Sequence, residues 1–195
     1  MLFRSVDPRG LVVINEIMYH PLVPGASYVE LLNLSSNQSF DLSNWRLAEL
    51  GLTFPNGTLL TNGQFLLAAR NRAAFTSTYS NAPPVAAEFS IDLSTNGQTL
   101  SLIKPGVPPD LDQIISRVRY EPGAPWPPAA SGLGSSLQLL DPSQDNRRVS
   151  NWSDGFGWRF FTFTGSISDS RFLLYLSRVG DIYLDDLSLD RKSVV

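Results

Sequence analysis

Closely spaced turn residues divide the chain into short apolar runs, and this constrains its fold most. Strand-like runs such as LVVINEIMY (11–19), YVELLNL (28–34) and WRLAEL (45–50) recur about every ten to fifteen residues. The chain holds 14 glycines, 14 prolines and three Asn-Gly pairs, and Asn-Gly favours tight reversals because both residues tolerate positive φ. One short helix is expected within residues 71–79. The spacing predicts an all-β sandwich rather than a βαβ fold.

A second, smaller group of predicted strands follows Trp152. The segments WRFFTFT (158–164), FLLYL (172–176) and DIYLDDLSL (181–189) are rich in aromatic and β-branched residues or alternate in polarity. Three strands rarely bury enough surface to fold alone. We therefore predict a first domain over residues 11–152 and a short appended C-terminal β-segment over residues 156–190.

Composition excludes several classes of function. Fifteen Lys and Arg against 18 Asp and Glu give a formal charge of −3, opposite in sign to that of a chain that binds phosphate backbones, so no nucleic-acid partner is predicted. The chain has no cysteine, which excludes thiolate metal sites, and its single histidine, His20, nearly excludes His-dependent triads and clusters of His ligands. No apolar run approaches the roughly 20 residues of a membrane span, and the first ten residues lack the apolar centre of a signal peptide.

Glu16 and Glu30 lie on adjacent predicted strands and form a candidate pair of catalytic carboxylates. A glycosidase would need the two groups about 5 to 10 Å apart in a cleft. We interpret them instead as solvent-facing strand residues or local partners of an arginine, because neither adjoins a turn beside an aromatic cluster. Serine nucleophiles lack the motif and the following histidine of a hydrolase. The chain is therefore predicted not to be an enzyme.

An oxygen-rich stretch near residue 145 is the candidate metal site. Asp141 and Asp145, with Asn146 and Asp154, offer the oxygen ligands that calcium prefers. Their spacing is not that of an EF-hand loop, and Asp and Asn also start turns by bonding their own backbone. Turn formation is the favoured interpretation, with bound calcium as the alternative. No other cofactor is expected.

Tryptophans are the candidate ligand-binding aromatics, because an exposed ring can stack on a sugar. In a sandwich most tryptophans are buried, and we expect Trp45 and Trp152 in the core. Trp126 lies among prolines, so we expect it to be partly exposed and take it as the candidate ligand residue. His20, which precedes Pro21 at a predicted strand end, is expected to support a turn.

Seven segments, in order, resemble the lamin tail domain in its bacterial form and cover roughly residues 11–152. They are INEIMYHP, YVELLNLSSNQSFDLSNWRL, TFPNGTLLTNGQFLLAAR, AAFTSTY, LSTNGQTLSLIKP, VRYEPGAPWP and GSSLQLLDPSQDNRRVSNW. The resemblance implies an immunoglobulin-like β-sandwich and a non-enzymatic module, which in bacteria typically sits in large secreted or surface proteins. It carries over no residue-level binding site.

The C-terminal segment is similar to the last three strands of a carbohydrate-binding-type jelly roll. In several of those families an aspartate in the final strand helps to hold a structural calcium. Asp185 or Asp186 would match that aspartate, but the early strands that supply the other ligands have no counterpart in this sequence.

These observations predict a non-catalytic interaction or spacer module of an extracellular or cell-surface bacterial protein. Its partner would be a protein or another cell-surface component, bound by the loops or by pairing at an open strand edge. The alternative is an accessory glycan-binding module of a secreted hydrolase, which would need exposed aromatic rings near Trp126 or Trp158.

Overall fold

A computed structural model describes residues 6–79, 83–108 and 111–155 of the chain. The predicted segment 156–190, which includes Trp158, Asp185 and Asp186, lies outside the described residues. The division of the chain at residue 152 therefore stays a prediction.

Twelve short strands and one α-helix form within the described residues. They are β1 (Val12–Met18), β2 (Tyr28–Asn33), β3 (Phe40–Asp41), β4 (Arg46–Leu47), β5 (Leu52–Thr53), β6 (Leu59–Leu60), β7 (Phe65–Ala69), α1 (Arg72–Thr78), β8 (Val85–Glu88), β9 (Gln98–Lys104), β10 (Gln113–Tyr120), β11 (Leu137–Leu139) and β12 (Trp152–Ser153). Single 3₁₀ turns span Ala48–Leu50, Pro128–Ala130 and Val149–Asn151.

The strands form two main sheets that enclose one apolar core. The larger sheet has the order β12-β11-β1-β2-β7-β8, the smaller has the order β10-β9-β4-β5, and β3 pairs with β6. All neighbours are antiparallel except β7 and β8. Residues from both sheets are fully buried in the core, among them Ile14, Ile17, Leu31, Leu100, Leu102 and Val118. The predicted all-β sandwich is confirmed.

Helix α1 connects the parallel strands β7 and β8 and covers the face of the larger sheet that points away from the core. Asn71 caps the helix, its side chain accepting a 2.8 Å hydrogen bond from the amide of Ala74. Phe75 is buried and packs edge-to-face on Tyr28, with ring centroids 5.3 Å apart. The helix expected within 71–79 is confirmed. No helix in the described part of the chain has the length and apolarity to cross a membrane.

The strand predicted over residues 45–50 is shorter than expected. Strand β4 ends at Leu47, and the chain turns through Ala48–Leu50 to Gly51, which adopts a left-handed conformation with φ of 62°. Glu49 in this turn accepts a hydrogen bond from the amide of Ser101 at 3.1 Å, which ties the turn to β9. The apolar pattern of the segment reflects burial of Leu47 and Leu50, which a turn satisfies as well as a strand does.

The Asn96-Gly97 reversal leads into β9, as its turn chemistry predicts. Gly97 has φ of +93°, a region that disfavours L side chains. A Cβ atom on this residue would lie 2.9 Å from the main-chain oxygen of Tyr120, against which the turn packs. Glycine is therefore required here by both conformation and space.

Candidate interaction site

A groove of about 330 Å³ opens at the edge of the smaller sheet. One wall is the first half of β10, from Ile114 to Arg117, and the other is the loop from Pro142 to Arg147. Gly10 and Val13 complete the lining. We call this feature the β10 groove. It brings an exposed strand edge and a charged loop together on the surface.

Strand β10 has one hydrogen-bonded neighbour, β9, and is an edge of its sheet. Its side chains alternate, so that Val118 is buried while Arg117 and Arg119 are exposed. A bulge between Ile114 and Ser116 shifts this register. It leaves Ile114 42% exposed at the groove while the next two residues are buried.

The loop that forms the second wall is anchored to the sandwich by buried polar contacts. The side-chain amide of Asn146 donates to Ser116 Oγ at 2.8 Å, and Ser116 Oγ also accepts from the amide of Ile14 at 3.0 Å. The indole N–H of Trp152 donates to the carbonyl of Asn146 at 2.8 Å. Asn146 and Ser116 are both buried. These bonds fix the width of the groove at its base.

Asp141, the first calcium candidate, is used within the loop. Its Oδ1 accepts from the amide and the hydroxyl of Ser143 at 2.9 and 2.6 Å, and its Oδ2 accepts from Gln144 at 2.9 Å. The Ser143 hydroxyl is the main cause that lowers the pKa of Asp141. The main-chain amide of Asp141 donates to Asn151 Oδ1, and the side-chain amide of Asn151 donates to the carbonyl of Asp141, both at 2.9 Å. These contacts are the turn chemistry that the sequence favoured.

Asp145, the second calcium candidate, forms an ion pair with Arg147, whose Nη2 lies 2.9 Å from Oδ2. Hydrogen bonds from the Arg147 side chain and amide lower the pKa of Asp145 to about 2, so its carboxylate is charged at neutral pH. Asp154 is buried and accepts from the amide of Ala129 at 2.9 Å. Within the described residues no group of three metal-binding side chains converges. Asp185 and Asp186 lie outside the described residues, and turn formation stays the favoured interpretation of the loop, with bound calcium as the alternative.

Glu16 and Glu30 are brought together as direct cross-strand partners on β1 and β2. A bulge at Asn15 turns its side chain toward Glu30, and the side-chain amide of Asn15 donates to Glu30 Oε1 at 2.9 Å. Tyr28 donates to Glu16 Oε1 at 2.6 Å, and the Ser136 hydroxyl donates to the same oxygen. The two glutamates therefore lie in a hydrogen-bonded polar cluster on the larger sheet, and neither lines the β10 groove.

For Glu30 the expectation of a solvent-facing residue or an arginine partner is wrong, whereas Glu16 is half-buried and its partners are Tyr28 and Ser136. Glu30 is 9% exposed, and its partner is an amide. Burial raises the pKa of Glu30, the Asn15 hydrogen bond lowers it, and the nearby charge of Glu16 raises it. Because the bulge turns Asn15 to the side of Glu30, the sheet supplies a neutral donor where the sequence suggested a cation. Strand alternation alone could not reveal the bulge.

The expectation that Trp126 is partly exposed is also wrong. Trp126 is 5% exposed, and its ring centroid lies 6.3 Å from that of Trp152. Trp126 is part of the apolar core, although its segment is rich in prolines. Burial of Trp45 and Trp152 is confirmed. His20 packs against the turn at Gly132, where an added Cβ would lie 2.8 Å from its Cε1 atom, in agreement with a supporting role.

The family comparison agrees with the fold. The family model described as Lamin Tail Domain matches residues 5–121, more than half of the chain. The chain belongs to the lamin tail domain family. This domain is immunoglobulin-like and is generally an interaction module, which agrees with the sandwich observed. No curated protein and no solved structure matches the chain.

The sequence reasoning missed the β10 groove of this lamin tail domain. Its second wall lies in residues 142–147, beyond the segment that the family model matches. The pattern of β10 carried a partial signal, because the consecutive apolar pair Ile114 and Ile115 breaks the alternation that follows it. Such a break marks a bulge, and bulges often adjoin functional sites. The proximity of Arg117 to Arg147 had no signal in the sequence.

Proposed function

We propose that this lamin tail domain is a non-catalytic module of an extracellular or cell-surface protein and that it binds a protein partner. The observation that supports this most is the β10 groove. It combines a strand edge with one neighbour, an anchored loop and exposed charge. A free edge is the part of a sandwich that most readily adds a strand from another chain.

The arrangement of ionisable groups supports a role without catalysis. The carboxylates of Glu16 and Glu30 are held by Asn15, Tyr28 and Ser136 on the larger sheet. A hydrolytic pair needs one carboxyl to donate a proton and the other to attack or activate water, in reach of a bound substrate. These glutamates line no part of the groove where a ligand would sit.

The extracellular or cell-surface location is supported by the family's typical setting in bacteria. We propose that the domain serves there to attach its parent protein to another surface protein. The related spacer role would need only a stiff fold. An anchored loop beside an open strand edge goes beyond that need, which favours binding.

Intact producing cells provide the test. Treatment with a protease that cannot enter the cell should release peptides of this domain, and a crosslinker that cannot enter should join it to a protein. Protection of the domain until the cells are lysed would refute the location. A crosslinked product that contains only carbohydrate, or turnover of a substrate by the purified chain, would refute the function.

A further inference from the structure

The β10 groove offers main-chain bonding groups on its first wall. An edge strand presents alternate N–H and C=O groups that its own sheet does not use. Within the described residues, no main-chain hydrogen bond joins the loop 142–147 to β10, and the side-chain bond between Asn146 and Ser116 connects the two walls. Four consecutive residues of β10, 114–117, line the opening, which therefore lies beside the edge of the strand and is bridged at Ser116.

The charge lining the groove is positive on balance. Arg117 and Arg147 line it, against the single carboxylate of Asp145, although the whole chain has a formal charge of −3. Asp145 already pairs with Arg147. Arg117 donates from Nε to the Ser101 hydroxyl at 3.1 Å, and no carboxylate within the described residues forms an ion pair with it. Its remaining N–H groups suit an incoming carboxylate.

The groove also has an apolar contact point. Ile114 is 42% exposed on the same wall as Arg117, and its burial by a ligand would remove aliphatic surface from water. A ligand that fits both residues needs an acidic and an aliphatic side chain at different positions along one extended backbone.

We propose that the β10 groove binds an extended acidic peptide segment of another protein, which adds as a strand to the free edge of β10. Its carboxylates pair with Arg117 and Arg147, and an aliphatic side chain covers Ile114. This proposal rests on the proposed function, because it names the partner class and surface of that interaction module.

A second copy of this chain fits the groove less well than an acidic segment does. Antiparallel pairing of two β10 edges would bring the guanidinium groups of Arg117 and Arg119 from both copies together on one face. The loop 142–147 also lines the groove beside this edge. The repulsion between the arginines therefore favours an acidic peptide over a second copy.

The test is selection from a phage-displayed library of random octapeptides on the full 195-residue chain. Peptides that alternate Glu or Asp with Val, Ile or Thr should be enriched. A synthetic, fluorescein-labelled octapeptide of the enriched sequence then gives a dissociation constant. Binding should weaken as salt increases, because the arginines are exposed.

Matched variants separate the groove from general charge. Arg117→Glu should weaken binding at low salt by about tenfold or more, and Arg147→Glu by about threefold or more, because each replaces an attraction with a repulsion. Arg148→Glu makes the same charge change at an exposed neighbour that does not line the groove, and should change binding less than about twofold. Thermal melts confirm that each variant is folded, and Arg117→Gln serves as a milder second variant.

N-methylated peptides test strand addition itself. In an extended peptide alternate amides point to opposite edges, so methylating one alternate set blocks one edge while leaving every side chain in place. One of the two methylated octapeptides should lose binding and the other should keep it. Equal binding by both would overturn strand addition.

Three further results would overturn the proposal. The first is a selection on the unaltered chain that enriches peptides no more than a selection on Arg117→Glu does. The second is enrichment of peptides without acidic residues. The third is a dimer of the unaltered chain in light scattering that Arg117→Glu abolishes. If a protein crosslinked on intact cells binds Arg117→Glu and the unaltered chain equally, the groove is refuted while the proposed function stands. If no protein is crosslinked at all, the proposed function fails.

Discussion

The hydroxyl of Ser116 holds together three parts of the sandwich, and its removal gives the sharpest test of the site's construction. Its oxygen accepts from the amide of Ile14 on β1 at 3.0 Å and from the side chain of Asn146 in the groove loop at 2.8 Å. All three residues are buried. Ser116→Ala therefore leaves two buried donors without their acceptor.

Each buried donor that loses its acceptor costs about 1–3 kcal/mol. We expect Ser116→Ala to lower the free energy of unfolding by about 3 kcal/mol. For a chain of this size that corresponds to a fall in melting temperature of about 6–12 °C. Asn146→Ala removes one donor together with its bond and should cost about 1–2 kcal/mol.

The double variant tests the shared bond. In Ser116→Ala with Asn146→Ala, only the amide of Ile14 is left without an acceptor. The loss in free energy of unfolding should therefore be about 1 kcal/mol or more below the sum of the losses in the two single variants. Urea unfolding followed by circular dichroism measures all three. Ser150→Ala, an exposed serine nearby, should change stability by less than about 0.5 kcal/mol. Additive costs, or a Ser116→Ala effect as small as that control, would refute the reasoning.

Three further predictions concern the turn, the buried glutamate and the metal candidates. Gly97→Ala should destabilise the chain by about 1–3 kcal/mol and by more than Gly57→Ala does. Both glycines have positive φ, but of the two only Gly97 has main chain close to the position of an added Cβ. Equal melting temperatures of the two variants would contradict this. Glu30 has a raised pKa, so the folded chain binds its proton more tightly than the unfolded chain does, and its contribution to stability falls as pH rises through that pKa. Glu30→Gln should therefore flatten that fall and stabilise the chain at neutral pH in urea titrations, and a loss of stability there would count against burial as the cause. Millimolar calcium should leave the melting temperature unchanged, because Asp141 already accepts a hydrogen bond from Ser143 and Asp145 forms an ion pair with Arg147. A shift in melting temperature that Asp145→Asn abolishes would show that this loop binds the ion.

The sandwich could be predicted from the sequence because its determinants are local. Runs such as Val12–Met18 are β-branched, and Asn96-Gly97 specifies a reversal without reference to the rest of the chain. The helix Arg72–Thr78 is likewise marked by its Asn71 cap. Strand ends were less predictable, since Leu50 is buried whether its backbone is a strand or a turn.

The site could not be predicted because its contacts are long-range. The bond between Ser116 and Asn146 joins residues 30 positions apart, and nothing in either local sequence specifies the other. The environment of Glu30 depends on a single bulge that turns Asn15 toward it. The burial of Trp126 also depends on a long-range contact. Its proline-rich surroundings suggest an exposed loop, but the ring packs on Trp152, 26 positions along the chain.

The construction of the loop bears directly on how tightly the groove could bind. Adding a strand to an edge normally costs the entropy of ordering both partners. Here the loop wall is already ordered by Asp141 at one end and by Asn146 near the other, and β10 is held along its whole length by β9. The groove residues of the domain are therefore already ordered before a peptide binds. Most of the entropy lost on binding comes from ordering the peptide. It follows that Asn146→Ala, which loosens the loop without touching the groove charges, should weaken peptide binding. Arg117→Glu should instead weaken binding at low salt through the lost charge, and its effect on stability should be limited to the single bond with Ser101.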